Sequence, residues 1–148
     1  SVDDYSSFGA YQRSKLANVQ FTAELGRRLD AASGTRTANC FHPGAIPGSG
    51  FFRSLPGPLP RLVQSLGRLP FVTSPADGAA TLVYLAVADH VADTTGRYFA
   101  DCAPKTPADV ARDPEAQRRL WERSADLLGI DEPLADAVTA DADPARAD

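Results

Sequence analysis

The chain has 148 residues, 43% of them hydrophobic and 23% charged, the make-up of one folded domain. Its 15 Lys and Arg against 19 Asp and Glu give a net charge of -4, and the imbalance is local: six of the acids and one base lie from Asp131 onward. A near-neutral body with an acidic end offers no electrostatic footprint for nucleic acid or an anionic membrane surface, and no apolar run reaches the length of a membrane span. Cys40 and Cys102 make neither a CxxC pair nor a disulfide framework, so each reads as a small buried hydrophobe and the default location is the reduced cytoplasm. The start at Ser1-Val2-Asp3-Asp4, in a chain without Met or a signal-peptide pattern, leads us to expect a piece of a longer polypeptide.

After an irregular lead-in to Gly9, Leu16, Val19, Ala23, Leu25 and Leu29 recur at three- and four-residue steps, predicting a helix over Ala10–Ala32 with Ser7 as its cap and Gly34 as its stop. Thr35–Phe41, bounded by Gly34 and Pro43, reads as a strand. His42–Pro60 holds five prolines and four glycines yet carries Phe51, Phe52, Leu55 and Leu59, the profile of a loop that covers something apolar. An amphipathic helix over Leu59–Leu69 follows, with Leu62, Val63 and Leu66 on one face.

Ser74-Pro75-Ala76-Asp77 starts a helix, apolar nearly all round, over Gly78–Ala88. Thr95-Gly96 is a turn and Arg97–Cys102 a final strand. Asp113-Pro114-Glu115 opens a last helix, with Leu120, Trp121, Leu127 and Leu128 toward the core and Gly129 at its end. Residues 131–148 have little to bury and read as an acidic disordered tail. Two strands cannot close a core against helices this apolar. The expected fold class is therefore α/β, with residues 1–130 forming half of a larger domain or an obligate partner of one.

The sharpest chemical signal is Tyr11-Gln12-Arg13-Ser14-Lys15. Residues four apart on a helix share a face, so the Lys15 ammonium can lie near the Tyr11 phenol. A free Tyr, with a pKa of about 10, is a poor acid or base at neutral pH, and a neighbouring cation favours the phenolate. Such a pair suits proton exchange with an alcohol or carbonyl oxygen while hydride moves at the adjacent carbon. The same spacing also suits an exposed helix pair worth a few tenths of a kcal/mol, and spacing alone does not separate the two.

The surrounding residues add a resemblance. Tyr11-Gln12-Arg13-Ser14-Lys15-Leu16-Ala17-Asn18, followed by Phe21-Thr22, Glu24-Leu25 and Arg27-Arg28-Leu29, closely resembles the catalytic helix of the short-chain dehydrogenase/reductase family, in its retinol dehydrogenase and protochlorophyllide reductase-like branch. His42-Pro43-Gly44, Thr95-Gly96-Arg97-Tyr98-Phe99 and Arg119-Leu120-Trp121-Glu122-Arg123-Ser124 resemble later landmarks of that branch, in the same order. The resemblance implies the C-terminal half of a doubly wound, Rossmann-like parallel-sheet domain and a nicotinamide cofactor, NADP or NAD, with NADP favoured. It implies Tyr11 as the general acid/base, Lys15 as its partner and ribose contact, and Pro43-Gly44 as the turn where backbone meets nicotinamide. Ile46 would hold the carboxamide through its backbone, and Ser49 would supply the hydroxyl that the commonest family spacing would put at Gly48. Phe51, Phe52 and Leu55 would border a pocket for a lipophilic alcohol or carbonyl substrate, although such side chains also simply fill cores. Homo-oligomers are common in the family.

Two family features have no counterpart in the chain: the Gly-rich phosphate loop after a first strand, and a catalytic Ser well before the Tyr. Ser6 and Ser7 stand too close to Tyr11 and suit a helix cap instead. The expected function is thus part of a nicotinamide-dependent oxidoreductase, inactive without an N-terminal half or a partner chain. The alternative is a truncated, non-catalytic chain that acts as a binding or regulatory partner.

Overall fold

The computed structural model describes residues 6–32, 35–44, 74–131 and 134. The described residues form α1 (Ser7–Ala31), β1 (Cys40–His42), α2 (Pro75–Val87), a 3-10 turn (Asp89–Val91), β2 (Tyr98–Ala100), β3 (Ala103–Lys105), α3 (Asp109–Arg112) and α4 (Pro114–Leu128). The helix predicted over Leu59–Leu69 and nearly all of the expected tail lie outside them.

Helix α1 begins three residues before the predicted Ala10, because Ser6 and not Ser7 is its cap: the Ser6 hydroxyl accepts from the Gly9 amide at 3.3 Å. Strand β1 is shorter than the predicted Thr35–Phe41. Ahead of it, side chains stand in for part of the ladder: Thr95 Oγ1 accepts from the Ala38 amide at 3.0 Å, and the Asn39 amide group spans Thr94 O (2.6 Å) and Arg97 N (3.0 Å). Helix α2 starts where Ser74-Pro75 announces it, with a full capping box between Ser74 and Asp77.

The sheet has the order β1-β2-β3. β1 and β2 run parallel, with Cys40 opposite Tyr98 and His42 opposite Ala100, and the chain between them passes through α2, which makes the pair a βαβ unit. β3 is a correction to the expected two strands. It returns antiparallel to β2 through a two-residue turn, Asp101-Cys102, in which both residues have positive φ (53° and 55°). Hairpin turns of this twist usually take Asn-Gly or Gly-Gly. Here the buried Thr81 of α2 holds the turn, its hydroxyl accepting from the Cys102 amide at 3.1 Å.

Side chains alternate along a strand, so Cys40 and Tyr98 point to one face and Phe99 to the other. Phe99 is fully buried and meets Tyr84 of α2, with ring centroids 6.3 Å apart. Helix α1 covers the Cys40 face and packs in turn on α3 and α4. Gly26 of α1 touches the Thr95-Gly96 turn so closely that a Cβ there would lie 2.4 Å from Gly96 Cα and N. The structure is therefore α/β, with helices on both faces of a parallel pair.

The α1–α4 contact is polar at its centre. Glu24 and Arg28, each 2% exposed, pair at 2.7 Å; Arg27 reaches the second Glu24 oxygen at 2.7 Å and donates to Gln117. The Arg28 guanidinium lies 4.8 Å from the Trp121 ring centroid, and Phe21 stacks on the same ring. Trp121 is buried as expected, but Leu127 and Leu128, expected in the core, are 71% and 72% exposed. Gly129, with φ 63°, ends α4 where predicted.

Candidate functional site

The N-terminal half of α1 runs past the end of β1, and a cavity of about 590 Å³ opens between them. Tyr11, Gln12, Lys15, Asn18 and Val19 line it from α1, Asn39 through Gly44 from the strand and its exit, and Tyr98 from β2. Four residues singled out in the sequence, Tyr11, Lys15, Pro43 and Gly44, thus share one cavity although 28 positions separate Lys15 from Pro43. Ile46, Ser49, Phe51, Phe52 and Leu55 lie outside the described residues.

Lys15 Nζ sits 5.5 Å from the Tyr11 ring centroid, so the cation lies against the ring itself. Tyr11 is 41% exposed, and its ring borders the open cavity. Ser14, between them, donates its hydroxyl to the Tyr11 carbonyl at 2.7 Å. That local bond settles Ser14 on the helix backbone.

At the strand exit, Pro43 followed by Gly44 with φ 79° is the pairing a type II turn favours at its centre. The positive φ is what requires glycine here. The Gly44 amide donates to His42 Nδ1 at 2.9 Å, closing the turn on its own first side chain.

A second hollow of about 390 Å³ adjoins the first and shares Val19, Cys40 and Tyr98 with it. Burial raises the Cys40 thiol above its usual range, against a smaller lowering by the Thr22 hydroxyl. Burial, with a contribution from Cys40, also raises the Tyr98 phenol. Asn39 and Tyr98 escaped the sequence reading as site residues. Tyr98 enters through the Cys40–Tyr98 register, and Asn39 through a backbone-mimicking bond pattern that no local sequence signal announces.

Among the described residues no group of His, Cys, Asp and Glu could hold a metal ion, and no helix is long and apolar enough to cross a membrane.

No protein-family model matches the chain. It is similar to human (Homo sapiens) retinol dehydrogenase 13, 42% identical over 139 residues that cover 87% of this chain and 39% of that protein. Mouse (Mus musculus) polyprenol dehydrogenase is 41% identical over 125 residues, 84% of this chain and 37% of the relative. Bovine (Bos taurus) dehydrogenase/reductase SDR family member 13 is 40% identical over 121 residues, 82% of this chain and 31% of the relative. The chain spans 31–39% of the length of these curated relatives.

Proposed function

Since the chain belongs to the short-chain dehydrogenase/reductase family, in its retinol dehydrogenase-like branch, we propose that it forms the proton-transferring side of an active site that interconverts an alcohol and a carbonyl on a lipophilic substrate. The observation that carries this reading is the shared cavity of Tyr11, Lys15 and the Pro43-Gly44 turn. Two of the relatives are named for lipophilic alcohols, retinol and polyprenol.

Tyr11 presents a phenol to the cavity and exchanges a proton with the substrate oxygen. As the phenol gives up its proton, negative charge develops beside the Lys15 ammonium, which is already seated against the ring. The residues present fit the nicotinamide end of a dinucleotide. The cavity has the size of a small-ligand site, Gly44 keeps the backbone of the turn open to close approach, and Lys15 offers donors to ribose hydroxyls. The nicotinamide nucleotide, with NADP favoured over NAD, supplies or accepts the hydride when bound. Ile46 and Ser49 complete its carboxamide contacts in this reading, and Phe51, Phe52 and Leu55 border the substrate.

These 148 residues include no Gly-rich phosphate loop, and among the described residues β1 has β2 as its single neighbour. The pyrophosphate site and the catalytic Ser therefore come from a further polypeptide segment that continues the sheet past β1 in a doubly wound order. The 148 residues alone bind NADPH weakly and do not turn over; saturable binding at micromolar or tighter concentration would contradict this.

The test is NADPH oxidation with a lipophilic aldehyde by the enzyme that carries both sides of the site. Tyr11→Phe is expected to lower kcat by about 10²–10⁴-fold with stability unchanged. Turnover retained in Tyr11→Phe removes Tyr11 from the chemistry and leaves the reading of a non-catalytic partner.

A further inference from the structure

We infer that His42 is a positioning residue. Its neutral imidazole, in the Nε2–H tautomer, accepts the Gly44 amide through Nδ1 and keeps the Pro43-Gly44 turn in the shape that receives the nicotinamide, so that a proton on Nδ1 releases the turn. The inference rests on the proposed function for the identity of what the turn receives; the tautomer and the turn stand on geometry alone.

The geometry leaves one assignment. A backbone N–H can only donate, so the ring nitrogen 2.9 Å from it must carry a lone pair, and in a neutral ring the proton then sits on Nε2. Asp and Asn close turns in the same way, with a side-chain oxygen accepting from the amide two residues on. Here an imidazole takes that place, which makes the closure sensitive to protons where an Asn would not be. Pro43 has no N–H and the Gly44 N–H is engaged, so the backbone groups that these two residues can still offer a ligand are carbonyl oxygens, acceptors suited to a carboxamide NH2. A protonated ring sets donor against donor and frees the Gly44 N–H.

Among the described residues, the groups around His42 do not offset that charge. Lining the same cavity are Tyr11 and Lys15 from α1, Cys40 from β1 and Tyr98 from β2, and no carboxylate is among its lining residues. On α2, which packs on β1 from the other face, Asp77 is engaged with Ser74. The nearest acid along β2 is Asp101, one position beyond the Ala100 that pairs with His42.

The test begins with nitrogen NMR of the imidazoles in the 148-residue chain, with the Gly44 amide followed as the pH is lowered. The expected result is an unprotonated Nδ1 at neutral pH, and a Gly44 amide that loses exchange protection in step with ring protonation. His42→Asn is expected to keep Gly44 protected without a pH step, and His42→Leu to lose protection at every pH. A proton on Nδ1 at neutral pH, a Gly44 amide indifferent to the ring, or full protection in His42→Leu would overturn the inference.

In the enzyme that carries both sides of the site, His42→Leu is expected to raise KM for NADPH on the order of three- to ten-fold, the loss of one hydrogen bond. His42→Asn is expected to rescue KM and to flatten its rise at low pH. An enzyme that binds NADPH normally, with KM and its pH profile unmoved by His42→Leu, also defeats the inference. An enzyme that neither binds NADPH nor turns over defeats the proposed function and leaves the tautomer and turn measurements to be judged on their own.

Discussion

Helices α1 and α2 flank the same small sheet, and they reverse what their compositions suggest. Helix α2 is Pro-Ala-Asp-Gly-Ala-Ala-Thr-Leu-Val-Tyr-Leu-Ala-Val, apolar almost throughout, yet Leu82, Val83 and Val87 stand in solvent, Val87 at 72% exposure. Helix α1 is rich in polar residues, yet Gln20, Glu24 and Arg28 are its buried stripe, one residue every four. Its apolar positions Leu16, Val19, Ala23, Leu25 and Leu29 are only half-buried. A helix is buried by what faces it. α3, α4 and the Thr95-Gly96 turn face α1, whereas the described residues give α2 one sheet face and little else. The bare side of α2 and the free edge of β1 are the surfaces that the proposed continuation of the sheet would cover.

If α1 is held by polar contacts, removing one of them should have the largest effect in the molecule. Glu24→Ala leaves Arg28 buried with its carboxylate gone, and should destabilise the fold by about 3–5 kcal/mol in urea unfolding. Replacing Glu24 and Arg28 together by Met and Leu should recover most of that loss, because the cost lies in a buried guanidinium that keeps its charge after losing the Glu24 carboxylate. A loss below about 1 kcal/mol for Glu24→Ala would mean that the half-buried leucines hold α1, and the contrast with α2 would collapse.

A smaller effect is expected where α1 meets the turn. Gly26→Ala puts a methyl 2.4 Å from backbone atoms of Gly96, and a backbone cannot step aside as a flexible side chain does. The helix must shift, at about 1–3 kcal/mol, a range ordinary for overpacking. Ala is otherwise the better helix former by about 1 kcal/mol, so a stabilised Gly26→Ala variant would show that the contact is loose. Thermal unfolding of the variant decides the sign.

The contrast also explains which features could be read from the sequence. Signals local to a few residues translated directly: Ser74-Pro75 opening α2, Asp113 capping α4, Gly129 ending it, and the Tyr11–Lys15 pair on one helical face. The Pro43-Gly44 turn lines the same cavity as that pair. The hairpin to β3 was hidden because its turn, Asp101-Cys102, lacks glycine and is held by Thr81, twenty residues back, while Pro104 reads as a break although an edge strand tolerates it. The Gln20-Glu24-Arg28 stripe was hidden because periodicity arguments count apolar residues, and this face buries charge that Trp121, ninety-odd positions away, makes tolerable. Local chemistry was legible; pairing across the chain was not.

The smallest expected effect separates the two helices by pH. Helix α2 opens on a box in which Ser74 Oγ accepts from the Asp77 amide at 3.1 Å, while Asp77 Oδ2 accepts from the Ser74 hydroxyl at 2.6 Å and its amide at 3.3 Å. Those bonds hold the Asp77 carboxyl below its usual range. A carboxyl depressed in the folded state contributes its stability above the unfolded pKa, about 3.9, and loses it as the pH falls through the lower, folded value. The first turn of α2 should therefore loosen below about pH 4, seen as a step in the Asp77 and Gly78 amide shifts. Among the described residues helix α1 has no acid in its first turn and takes its side-chain cap from Ser6, so its Gly9 amide should stay flat through the same titration. Asp77→Asn should abolish the step in α2. A step of equal size at Gly9 would mean that the two helices answer to a shared, global transition, and that the surroundings that set them apart in burial do not set them apart in their response to acid.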